Sequence, residues 1–89
     1  MKKGDKIYIT KYALTEGIKT AIAGDCYDTT VIVRGDYNFI TSFYIDKEAF
    51  TDLDEAKKRA EEMRVKKIES LKKQIEKLSK MEIKINDQL

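Results

Sequence analysis

The chain has 89 residues, a formal net charge of +2 from 18 basic and 16 acidic residues, no histidine, no proline and one cysteine. That length holds one small domain, here residues 1–89, and gains from dimerisation because a small domain buries a modest share of its surface. Without histidine there is no ordinary general base at neutral pH, no Ser-His or Cys-His nucleophile pair, and none of the commonest metal ligand.

Taken in order, Lys6 to Tyr12 alternates β-branched and aromatic residues with polar ones and predicts a strand. Ile7 and Ile9 face one way in it, and Tyr8, Thr10 and Tyr12 the other. Ala13 to Gly17 is a connection with Gly17 as its permissive point. Ile18–Ala23 is a second strand, closed by the turn at Gly24-Asp25. Thr29–Arg34 is a third, with Val31 and Val33 opposed to Ile32. Arg34-Gly35-Asp36 reads as a hairpin turn, despite spelling a cell-adhesion tripeptide. Asn38–Ile45 is a fourth strand, with Phe39, Phe43 and Ile45 on one face and Ile40 and Tyr44 on the other.

Short strands with tight turns predict an antiparallel meander, since parallel strands need long crossovers. The helix that follows should cover the face carrying the phenylalanines, Ile7, Ile9, Val31 and Val33. The opposite face carries Tyr8, Tyr12, Ile32, Ile40 and Tyr44. Either the sheet curls into a small barrel and buries them, or Tyr8, Tyr12, Ile40 and Tyr44 form a partner surface.

From Thr51 to about Met81 no glycine or proline interrupts the run. Thr51 is the expected N-cap, and Asp52, Asp54 and Glu55 bring negative charge to the first turn. At about 1.5 Å per residue, some 30 residues span about 45 Å, more than the preceding β-part is wide, so the helix should project. Its apolar positions fall into two stripes. Leu53, Ala56, Ala60 and Met63 make one, small enough to sit close on a sheet. Ile68, Leu71, Ile75 and Leu78 make the other, a short coiled-coil seam for self-association. The phase slips between them, because the first stripe continued would land on Lys67 and Ser70. Acid-before-base pairs at i, i+4 (Asp54/Lys58, Glu55/Arg59, Glu62/Lys66, Glu69/Lys73, Glu76/Lys80) add about 0.2–0.5 kcal/mol each. A nucleic-acid stripe would have to use Lys57, Arg64, Lys67, Lys72 and Lys77. The tail Met81–Asn86 alternates again, and is either an extra strand, on its own sheet or exchanged into a second subunit's, or a frayed helix end.

The chemistry for catalysis is thin. The sequence carries no G-x-x-x-x-G-K-[ST] and no G-x-G-x-x-G. One cysteine makes neither a disulfide nor an ordinary zinc site. Cys26 lies beside Asp25 and near Asp28, whose charges make it a poor nucleophile. No catalytic residue, metal or cofactor is assigned. Tyrosines 8, 12, 27, 37 and 44 with Lys6, Lys11 and Lys19 could stack on a single-stranded nucleic acid, but the first 50 residues balance 7 basic against 7 acidic. Met1-Lys2-Lys3 is not followed by an apolar stretch, and no run approaches a membrane span, so a reducing cytoplasm is expected.

The stretch Ile9-Thr10-Lys11-Tyr12-Ala13-Leu14-Thr15-Glu16-Gly17-Ile18, with Phe50-Thr51-Asp52-Leu53-Asp54-Glu55-Ala56 and Lys66-Lys67-Ile68-Glu69-Ser70-Leu71-Lys72-Lys73-Gln74-Ile75, resembles small uncharacterised proteins encoded in bacteriophages and prophages. The resemblance covers most of the chain and carries no functional residue. It implies an accessory protein that binds a host protein, host defence effectors included. The expectation is therefore an α+β protein with an antiparallel sheet of about four strands and one long C-terminal helix. It should act as a non-enzymatic protein-binding module and homodimer. A nucleic-acid-binding accessory protein and a phage inhibitor of a host defence effector are the alternatives.

Overall fold

The computed structural model describes residues 1–35 and 39–83. The order of elements is β1 (Lys6–Ile9), α1 (Ala13–Glu16), β2 (Lys19–Ile22), β3 (Thr30–Arg34), β4 (Ile40–Tyr44), β5 (Ala49–Phe50) and α2 (Leu53–Ser79). The chain is thus an α+β protein with antiparallel strands and a long C-terminal helix. Among the described residues the strands form two sheets, β2-β1-β5 and β3-β4, and no closed barrel.

The single meander is corrected by the short strand β5. Ala49 pairs with Ile9 and Phe50 with Tyr8, so β1 sits between β2 and β5. The turn before β5 has Asp46 at φ 64, a left-handed conformation that Asp tolerates better than most residues. Glu48 N–H donates to the Tyr44 carbonyl at 2.9 Å, and the Glu48 carboxylate accepts from Tyr44 N–H at 3.1 Å.

Residues that pair across strands share a face. Ile7, Ile9, Ala21 and Ala49 therefore line one side of the first sheet, and Val31 and Phe43 line one side of the β3-β4 hairpin. These two sides close on each other: Ile7, Ile9, Ala23, Val31, Phe43 and Ala49 form one buried cluster, with Val33 and Ile45 packed against it. The hairpin, not the helix, covers Ile7 and Ile9. Gly24 lets it do so. Gly24 N–H donates to the Ile32 carbonyl at 2.7 Å, and a Cβ at Gly24 would stand 2.6 Å from that oxygen. The segment after β2 thus meets β3 along Gly24–Tyr27, but β2 itself does not pair with β3, so the two sheets stay separate.

Two further expectations change. The first strand ends at Ile9: Thr10 turns inward and is fully buried, and Tyr12 opens the four-residue α1. Gly17 does close that turn, at φ 80. Phe39 lies outside the core at 71% exposure, just ahead of β4.

Only Thr51 and Asp52 separate β5 from α2, so the helix starts against β5, and it also meets α1 and β1. The N-cap is Asp52, not Thr51; the Asp52 carboxylate accepts the Asp54 N–H at 3.0 Å. Ala56 is fully buried, and Ala60 and Met63 are half-buried, as the small stripe requires of a close approach. Arg59 Nε donates to the Lys47 carbonyl at 3.3 Å and fastens the helix to the turn before β5. The helix then leaves the sheets. The largest extent is 61 Å, and the radius of gyration is 19.1 Å, against about 12 Å for a compact chain of this length.

Candidate self-association seam and partner surfaces

Every residue from Arg64 to Lys80 is exposed. At about 1.5 Å per residue this free rod is about 25 Å long. Ile68 and Leu71 are 37% and 43% exposed, and Ile75 and Leu78 are both 63% exposed. The α2 helix runs without a break from Leu53 to Ser79, so these four stand on one face at spacings of three and four. Val65, 42% exposed and three residues before Ile68, extends the same stripe. Its spacing of three from Ile68 is legible in the sequence, inside the phase slip between the two stripes.

The charges around the seam differ from expectation. Of the five i, i+4 pairs, Glu76–Lys80 forms, at 2.9 Å. Arg59 instead meets Glu62 at 3.7 Å, and Arg64 binds Glu61 through two hydrogen bonds, that from Nε spanning 2.9 Å. The Arg64 hydrogen bond, helped by its charge, holds the Glu61 carboxyl below its usual value, and Glu61 in turn raises Arg64. Arg64 is therefore not an uncommitted cation. Lys57, Lys67, Lys72 and Lys77 are all exposed. At about 100° per residue, Lys57, Arg64, Lys67 and Lys72 spread over a sector of about 140°, with Lys77 outside it. Such a spread is a solvated helix surface more than a track for a phosphate backbone.

The four residues read as one partner surface separate into three places. Ile40 and Tyr44, at 61% and 55% exposure, stay together on the outer face of the hairpin, beside Ile32 and Ser42. Tyr8 is half-buried on the outer side of the other sheet, opposite Phe50. Tyr12 stands at the mouth between the sheets. Lys11 and Lys19 each place Nζ 5.8 Å from its ring centre, and Lys19 also binds Glu16 at 2.7 Å. This mouth is an open cleft of about 720 Å³ whose walls include Ile9, Tyr12, Ala21, Val33 and Phe43. No local pattern signals this cleft, because it exists only between two separate sheets.

Cys26 is half-buried, with Sγ 3.5 Å from the Gly24 carbonyl oxygen. Among the described residues no helix is long and apolar enough to cross a membrane. Met81–Ile83 is neither helix nor strand. The remainder of the expected tail strand, Tyr37, and the Asp36 and Asn38 ends of the expected turn and strand lie outside the described residues. Comparison with protein-family models, curated proteins and solved structures gave no match.

Proposed function

We propose that the chain is a non-enzymatic protein-binding module that self-associates through the second half of α2. One observation carries this reading: Ile68, Leu71, Ile75 and Leu78 form an apolar stripe on a stretch of helix whose residues are all exposed. Water contact along such a stripe is costly, at about 25 cal/mol per Å² of apolar surface, and a second amphipathic helix removes it. Two heptads make a marginal coiled coil, so the dimer is weak and concentration-dependent.

Light scattering after size exclusion tests this. The mass should rise from monomer toward dimer with concentration. Leu71→Asp with Ile75→Asp should hold it at monomer while the β-part stays folded. A mass that is unaffected by both concentration and these substitutions rejects the seam.

The resemblance to phage-encoded proteins supports a second reading for the same molecule, a host protein as foreign partner. Ile40 and Tyr44 on the hairpin are the exposed apolar pair for it. A pull-down from host lysate in which Ile40→Asp removes one specific protein tests this; recovery unchanged by the substitution counts against it.

A further inference from the structure

The polarity of the helix pair follows from the residues beside the seam, and the inference rests on the self-association reading above. Ile68 and Ile75 take heptad positions a, and Leu71 and Leu78 take positions d. Val65, Lys72 and Ser79 then occupy e, and Lys67, Gln74 and Met81 occupy g. Glu61 and Arg64 fall at a and d of the preceding heptad.

Isoleucine at a with leucine at d fits a parallel pair, but the charges oppose it. In a parallel pair in register, each g residue meets the e residue five positions on. Lys67 would face the second copy's Lys72, twice. Glu61 would face Glu61 and Arg64 would face Arg64. Like charges across an interface are penalised, and every charged contact here is of that kind.

Reversing one helix changes these contacts. Ile68 then layers with the second copy's Leu78, and Leu71 with its Ile75. Glu61 and Arg64 then lie beyond the second copy's helix cap at Lys80, so neither faces its own like charge. Lys67 lies beside Met81, Gln74 beside Gln74, and Val65 beside Ser79. One like-charge contact remains, Lys72 with Lys72 at the centre, and lysine stems of that length turn their heads to water.

Shape gives the same answer independently. At about 100° per residue, the docked stripe Ala56, Ala60 and Met63 lies only about 75° around the helix from the seam. The folded sheets therefore overhang the side on which a second helix must lie. A parallel pair would press two sets of sheets together at one end. In the antiparallel register the pair is centred at residue 73, and the second copy's cap at Lys80 comes level with Lys66. The paired stretch then matches the exposed stretch, which begins at Arg64.

We propose that the seam pairs antiparallel with a second copy, Ile68 against Leu78 and Leu71 against Ile75, holding the two sets of sheets at opposite ends of one rod. The helix starts are then about 60 Å apart along the axis.

Pulsed electron–electron resonance on spin-labelled full-length chain tests this. Cys26→Ser, or Cys26→Ala, removes the native thiol, and either Lys57→Cys or Lys77→Cys carries the label. Circular dichroism confirms that each variant keeps its helix. The antiparallel pair predicts an intermolecular distance of about 50 Å at position 57 and about 20 Å at position 77. Distances near 20 Å at both positions mean a parallel pair; they overturn this inference and leave self-association standing. A dipolar signal at neither position, at concentrations up to several hundred micromolar, overturns both.

Discussion

The backbone N–H of Thr10 donates to the carbonyl oxygen of Glu48 at 2.8 Å, joining the end of β1 to a turn 38 residues away. Thr10 is fully buried, and its hydroxyl has only long contacts, 3.4 and 3.5 Å, to the Lys47 and Glu48 carbonyls. This junction sets where β5 lies. Because α2 begins three residues after Phe50, it also sets where the helix docks.

Thr10→Val should therefore cost little, about 1 kcal/mol or less, because the backbone bond survives and the lost hydroxyl bonds are weak. Thr10→Asp buries a charge without a partner and should cost several kcal/mol, roughly 3 or more, with loss of the folded state in a small domain. Urea unfolding followed by circular dichroism separates the two. Equal losses would mean that the site is not dry.

The two phenylalanines that flank and occupy β4 should behave oppositely. Phe43 is 6% exposed in the inter-sheet core, and Phe39 is 71% exposed. Phe43→Ala should cost about 3–5 kcal/mol, enough to unfold much of the population. Phe39→Ala should stay within about 0.5 kcal/mol of the parent chain. Thermal melts of the two variants, measured side by side, decide it.

At the start of α2, Asp52→Ala should cost about 0.5–2 kcal/mol, because the Asp54 N–H loses its acceptor. Thr51→Ala should cost only a few tenths, roughly 0.5 kcal/mol at most, since Thr51 is outside the cap. The reverse ranking in chemical denaturation would restore Thr51 as the cap.

The Glu61–Arg64 pair predicts a pH effect of known sign. The Glu61 carboxyl is held below its usual value by the Arg64 hydrogen bond. Its contribution to helix stability is present above the unfolded value and is lost as pH falls through the lower folded value. The pair is exposed, so the effect on overall stability is small. Side-chain carboxyl titration by NMR should show the Glu61 midpoint moving up in Arg64→Ala. An unmoved midpoint would mean that the pair does not persist in solution.

Local patterning determined a great deal here. Alternation marked the positions of β1 to β4, and the uninterrupted run from Thr51 marked α2. Periods of two and of 3.6 are properties of the backbone alone. The same patterning separated the docked stripe at Ala56 from the exposed seam at Ile68, Leu71, Ile75 and Leu78. Tertiary structure decided what each face meets. Parity placed Phe39 with Phe43, but only the splayed hairpin shows that one is covered and the other is not. The two-residue β5 carries no period to read, yet it takes the edge of β1 and fixes the origin of the helix. Charge pairing on α2 was settled the same way: Arg59 reaches the Lys47 carbonyl instead of Glu55, because a long side chain binds whatever acceptor the docked fold brings within its reach. Sequence spacing sets which contacts a backbone permits; which of them form depends on groups far apart in the chain that only folding brings together.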